Sequence, residues 1–217
     1  MLKKSEEAFS LIELLVVCGI IAIIAGFAIP ASVTMMKGSQ LTQASQVLAD
    51  QISLARQTAL ARNRSIEVRI YRYSDPEAPG EKDQPPAKGK FRGFQLFEIL
   101  ENGAAIPVGR YQRLAQSIII NKGSISSLIT KMETREAERS KGDPELPLLS
   151  GDKWNYEMVS FRFLPDGSTD LNPTDQWFLT IHGGDKSEDL NEAPSNFFTL
   201  QIDPTSGSTR AYRPNAG

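Results

Sequence analysis

Cysteine occurs once in the 217 residues, at Cys18, and histidine once, at His182. A lone cysteine excludes an intrachain disulfide, so the fold must stand on burial. Because Cys18 lies in an apolar run, it is read as a small packed side chain and says nothing about redox compartment. One histidine and one cysteine make no Cys/His metal cluster, and no Ser/His/Asp set can be argued from spacing. There is no phosphate-cradling glycine loop. Net charge is lacking too. Lys+Arg 24 against Asp+Glu 26 leave −2, too little to draw the chain to nucleic acid or acidic lipid. These absences point away from catalysis and cofactors and toward a protein that works by assembly.

What is present, first, is "AFSLIELLVVCGIIAIIAGFAIP", Ala8 to Pro30. From Leu14 to Ile29 no side chain is charged or strongly polar. Counted from Phe9, the run makes about 31 Å of helix at ~1.5 Å per residue, matching a bilayer core of about 30 Å. Lys3 and Lys4 precede it and no basic cluster follows closely, which keeps the N-terminus in the cytoplasm and carries the rest across. Three readings compete: a secretory signal cut after Ala28, a plain anchor, and a short leader cut between Ala8 and Phe9. A signal core is usually shorter, about 7–15 residues.

Glu13 favours the third reading. A carboxylate in apolar surroundings is costly unless paired. A cut before Phe9 creates an α-amine four positions from Glu13, on the same helix face. That amine, from the same chain or a neighbour, is a partner that leader removal would supply. A neighbour could provide it at only one axial offset, so Glu13 would set register during assembly. Cys18, Ala22 and Gly26 line one stripe, which either lets helices approach closely or arises by chance in an Ala/Gly/Ile-rich run. Gly19, Gly26 and Pro30 weaken the helix locally.

Beyond Pro30 the pattern becomes amphipathic. Leu41, Ala44, Leu48, Ile52, Ala55, Ala59 and Arg62 step by three or four, with Val47, Leu54 and Ala61 as a flanking row. This predicts a helix ending near Asn63. One helix from Phe9 to Arg62 would run ~80 Å. Arg56, Arg62, Arg64, Arg69 and Arg72, offset by Glu67, form the most basic stretch. It reads either as a nucleic-acid site or as a solvated helix end whose cations suit the C-terminal dipole.

The remainder reads as strands. Ile66, Val68 and Ile70 alternate with Glu67, Arg69 and Tyr71, and further runs are 91–100, 108–111, 117–120, 156–164, 176–181, 196–202 and 209–213. Many short strands with turn signals predict an antiparallel β-sheet or sandwich, making the chain α+β. Two segments read as lying outside the core: the Pro-rich loop of 74–90, and 131–153, charged and read as a short exposed helix and loop. His182, before Gly183-Gly184, reads as a loop edge. Asp166, Asp170 and Asp175, and separately Asp185, Glu188 and Asp189, are acidic groups that match no dedicated calcium loop, so no metal is expected.

"FSLIELLVV…AIP" resembles the N-terminal signature of type IV prepilins and type II secretion pseudopilins. The resemblance implies cleavage between Ala8 and Phe9 by a membrane-embedded prepilin peptidase, N-methylation of Phe9, an assembly role for Glu13 and a helix kink at Pro30. The residue before the cut is Ala8, where the family usually has Gly, and Glu6 and Glu7 make the leader less basic. "LARQTALARNRSIEVRI" and "FLPDGST" are similar to H-class pseudopilins. Most of the chain looks like the prepilin-type proteins called Verru_Chthon cassette protein D. The implied layout is a leader (1–8), a membrane-spanning first half of the helix (9–30), an amphipathic second half (31–63) and a β-rich domain (64–217). The implied setting is the inner membrane, with the domain in the periplasm and other pilin or pseudopilin subunits as partners. The long loops suit a minor subunit. The alternative is a membrane-anchored or secreted β-domain that binds a ligand or partner, its first 30 residues serving only to target it.

Overall fold

A computed structural model describes residues 10–75, 78, 80–81, 88–138 and 155–214, with the side chains of 25–35 and 136–138 and of Asn155 outside the description. The leader, Ala8, Phe9 and the side chains of Gly26 and Pro30 therefore lie outside the described residues. The elements are α1 (Leu11–Arg62), β1 (Ile66–Tyr73), β2 (Lys90–Ile99), β3 (Ala105–Arg113), β4 (Ile118–Ile120), α2 (Ser127–Lys131), β5 (Arg135–Glu138), β6 (Asn155–Phe163), β7 (Trp177–Gly183), β8 (Phe197–Ile202) and β9 (Thr209–Tyr212). The chain forms two compact units, Met1–Ser39 and Gln40–Gly217.

In the first unit the described side chains from Leu11 to Ile24 are all exposed, on every side of the helix. A helix apolar all round finds its environment in a membrane or among other helices. Among the described residues no helix is long and apolar enough to cross a membrane. The described side chains of the apolar run stop at Ile24, and its remainder to Ile29 lies outside them.

In the second unit α1 buries Leu41, Ala44, Leu48, Ile52, Ala55 and Ala59, each at most 6% exposed, as the three-four spacing predicts. Arg62 does not continue the stripe. It is exposed and pairs with Glu98 on β2 at 2.6 Å. The flanking row is also not core: Leu54 and Ala61 face solvent and only Val47 is half-buried. The helix ends where Asn63 takes φ +52° and the Arg64 amide donates to the Ala59 carbonyl at 3.3 Å. That six-to-one bond, closing over a left-handed residue, is the Schellman cap.

The strands form one antiparallel sheet rather than a sandwich, in the order β5-β6-β1-β2-β4-β7-β8-β9 with β3 on β2. The second half of α1, the short α2 and the sheet share one core, because the sheet curls. Although β6 and β8 are separated by four strands in that order, the turn after β6 meets the turn after β8. The Thr169 amide donates to the Pro204 carbonyl at 2.9 Å. A Cβ on Gly207 would stand 2.0 Å from the Gly167 carbonyl oxygen. Ile66, Val68, Ile70, Phe94, Leu96, Val159, Phe161, Phe163, Leu179, Ile181, Leu200 and Ile202 thus join the helix stripe in one cluster. On the other face of β1, Tyr71 and Tyr73 gather with Tyr111, Tyr156 and Met158.

Two segments depart from expectation. Arg135–Glu138, read from its charge as helix and loop, is β5, paired with β6 from Met158 to Asn155. The β1–β2 connection is not wholly outside the core, since Ser74, Asp75, Ala78 and Glu81 are buried. Residues 76–77, 79 and 82–87 of it, and 139–154 of the second loop, lie outside the described residues.

Candidate functional site

Ser10 and Glu13 begin α1 with a reciprocal cap. The Ser10 amide donates to Glu13 Oε2 at 3.0 Å, and the Glu13 amide donates to Ser10 Oγ at 3.4 Å. This is a capping box, and its S-x-x-E spacing is legible in "SLIE". Glu13 therefore has a hydrogen-bond donor in its own chain that does not depend on any cut before Phe9. The same carboxylate lies at the positive end of the helix dipole, which favours an anion. Cys18 and Ala22, two members of the small-residue stripe, are exposed on the same helix.

The basic stretch is consumed internally. Arg56 Nε donates to the carbonyls of Gly167 (3.3 Å) and Ser206 (3.0 Å). Arg62 and Arg64 pair with Glu98, and Arg64 also with Glu101. Arg69 bonds Glu67 and lies 4.0 Å over the Phe97 ring. Arg72 bonds Glu157, Glu188 and the Gly89 carbonyl. These cations meet carboxylates and carbonyls of the same domain.

Members of the two acidic groups are met by turn donors and by cations. Asp166 accepts from the amide and hydroxyl of Ser168 in its own turn, which holds its carboxyl below the usual value. Asp170 accepts from the Arg162 amide, and burial raises its carboxyl. Asp175 pairs with Lys131. Glu188 meets Arg72 and Lys122, and Asp189 also meets Lys122. Among the described residues no group of three or more potential ligands could hold a metal ion.

His182 is not on a loop edge. It lies on β7, fully buried, in register with Ile119 of β4 on one side and Phe197 of β8 on the other. Asn121 Nδ2 lies 3.2 Å from His182 Nε2, and His182 Nδ1 lies 2.9 Å from the Gly183 carbonyl. Asn121 Oδ1 already accepts the Gly123 amide, so the amide nitrogen faces the ring, Nε2 accepts and Nδ1–H donates. This is the neutral tautomer, and burial lowers the imidazole pKa.

The most buried ionic group has no counterpart in the sequence pattern. Arg92 on β2 is 1% exposed. Its Nη2 bonds Glu81 at 2.6 and 2.8 Å and its Nη1 bonds Asp75 at 3.3 Å, while Arg113 on β3 also holds Asp75. An arginine in a strand gives no sequence signal of burial. A second such group is Glu67, bonded by Arg69 and Arg162. Burial alone would raise its carboxyl, but the two guanidinium groups outweigh it and hold the carboxyl below its ordinary value. Both groups tie strands and the β1–β2 connection together by ion pairs within the domain.

Residues 3–29 match the family model described as the prokaryotic N-terminal methylation motif. No curated protein is significantly similar in sequence. Among solved structures, the minor pseudopilin EpsH of the Vibrio cholerae type 2 secretion system is 10% identical, with 81% of this chain and 98% of that chain covered at a TM-score of 0.43. The Pseudomonas aeruginosa type IV minor pilin FimU is 15% identical, with 82% and 94% covered at a TM-score of 0.41.

Proposed function

We propose that the chain is a non-enzymatic pilin-like or pseudopilin subunit that assembles through its N-terminal helix into a pilus or pseudopilus linked to secretion or a surface structure. The observation that carries this reading is the coincidence of the methylation motif, residues 3–29, with a helix whose described apolar side chains are exposed all round. Such a helix needs lipid before assembly and neighbouring helices after it.

In this reading a prepilin peptidase cuts between Ala8 and Phe9, and Phe9 is then N-methylated. Residues 9–30 hold the precursor in the inner membrane as a single pass, with the β-rich domain in the periplasm. Glu13 sets subunit register, Cys18, Ala22 and Gly26 permit close helix approach, and Pro30 kinks the helix. The capping box refines the role of Glu13. Its carboxylate is already held toward the helix start by the Ser10 amide, so a new amine at Phe9 would add to an existing bond rather than create the first one.

Intact-mass measurement on protein from the native host tests the processing. The expected chain begins at methylated Phe9; a chain beginning after Ala28 overturns the reading. Glu13→Leu tests assembly, with membrane insertion retained and fibre formation impaired. Wild-type assembly by that variant would favour a merely anchored binding domain.

A further inference from the structure

Helix α1 is docked in its second half by an apolar stripe, and apolar contact is non-directional. Leu41, Ala44, Leu48, Ile52, Ala55 and Ala59 set which face of α1 is buried. Directional bonds add to that packing in holding one rotation and axial register. We propose that residues 203–213, the turn before β9 and β9 with its flanking residues, form a strap that fixes α1 in rotation and axial register, with Arg56 and Arg213 as its two fasteners.

The strap touches the helix at two places. At one end Arg56 Nε donates to the Ser206 carbonyl at 3.0 Å and to the Gly167 carbonyl at 3.3 Å. At the other, Arg213 Nη1 donates to Thr42 Oγ1 at 2.9 Å. The spacings agree. Thr42 and Arg56 are fourteen positions apart, just under four helical turns and therefore on nearly one face, a span of about 21 Å. Ser206 and Arg213 are seven positions apart, a reach of at most about 23 Å, of which Thr209–Tyr212 is extended strand. The strap thus runs antiparallel to the helix with a fastener at each end.

The strap is itself anchored. β9 pairs with β8 from Thr209–Ile202 to Tyr212–Thr199, and the inner side chains Phe198, Leu200 and Ile202 belong to the same core as the helix stripe. Its turn is closed by the Gly207 amide donating to the Asp203 carbonyl at 2.8 Å. The Arg56 fastener reaches across two turns at once, so it ties the helix to both flanks of the sheet. This strap is independent of the assembly role proposed above and would operate in the isolated subunit.

Hydrogen exchange read by mass spectrometry on the full chain in detergent tests it, comparing Arg56→Gln and Arg213→Gln with Arg62→Gln, an exposed arginine outside the strap. In Arg56→Gln, amides of 203–212 and of α1 from Ile52 to Leu60 should exchange about tenfold faster or more, as for loss of a charge-assisted bond that guards a local opening. In Arg213→Gln the rise should centre on 209–212 and on α1 from Leu41 to Leu48. Amides of β1 and β2 should be unchanged in both, and Arg62→Gln should leave the strap as in the wild type. Unchanged exchange in the strap overturns the proposal. So does a rise confined to the hairpin with α1 unaltered, and so does an equal rise throughout β1 and β2.

Discussion

Arg92 and Glu81 form a two-pronged ion pair inside the domain, with Arg92 Nη2 at 2.6 and 2.8 Å from the two carboxylate oxygens. Asp75, fully buried, takes the other guanidinium nitrogen. The pair brings an otherwise polar, Pro-rich connection back onto β2. Arg92→Ala would take from Glu81 its shortest ion-pair contacts and from Asp75 one of its guanidinium partners. Leaving a buried charge without its partner costs about 3–5 kcal/mol. Urea unfolding should show a loss of that order, partly offset because Arg113 still reaches Asp75. Asp75→Asn with Glu81→Gln on the Arg92→Ala background should recover part of it, since both buried carboxylates are then replaced by neutral amides.

Gly207 has φ +64°, and a Cβ there would meet the Gly167 carbonyl oxygen at 2.0 Å. Gly207→Ala should lower stability by about 2 kcal/mol or more, combining the left-handed backbone penalty with overpacking. Gly38 lies in the helix with nothing within 4 Å of where a Cβ would stand. Gly38→Ala should be neutral to stabilising, by up to about 1 kcal/mol. Thermal melts of the two variants separate these effects.

Two neighbouring rows of α1 should respond differently. Leu48 is fully buried and Leu54 is 42% exposed. Leu48→Ala should cost about 2–5 kcal/mol, whereas Leu54→Ala should stay within about 0.5 kcal/mol. Equal costs would mean that the outer face of the helix is covered in the isolated subunit.

Stability should fall toward acid in two steps. The neutral, buried His182 has a lowered pKa, so the unfolded chain binds a proton more readily. Its contribution is complete above the unfolded value of about 6.5 and is lost as pH falls through the lower folded value. Glu67 is also lowered, so its contribution is complete above about 4.3 and disappears as pH drops through its folded value. Denaturation followed from pH 8 downward should show the first decline removed by His182→Gln and the second by Glu67→Gln.

Much of the helix and sheet is legible in the sequence because it rests on periodicity. The buried stripe from Leu41 to Ala59 follows the three-four spacing, and Ile66, Val68 and Ile70 alternate as a half-buried strand must. The capping box is equally open to reading in "SLIE", but the cost of a carboxylate in an apolar run points first to a future amine and not to Ser10. The strand Arg135–Glu138 is not legible. Its charges suit an exposed helix, and it is a strand because β6 offers an unpaired edge.

By itself the sequence determined the apolar run, its interruption at Glu13, and the length and amphipathic stripe of α1, together with glycines where the backbone turns left-handed, such as Gly167 and Gly207. Each depends on neighbours within a few positions, through helix periodicity, transfer of apolar surface from water, or the backbone freedom of glycine. Only the tertiary structure decided which charges are buried and which distant turns meet. Arg92 finds Asp75 and Glu81 in the connection between the paired strands β1 and β2, His182 finds Asn121 because β4 pairs with β7, and Arg56 finds Gly167 and Ser206 because the turns after β6 and β8 meet, joining residues 11 to 150 positions apart. Burial of a polar side chain is set by partners of that kind, and no local pattern encodes them.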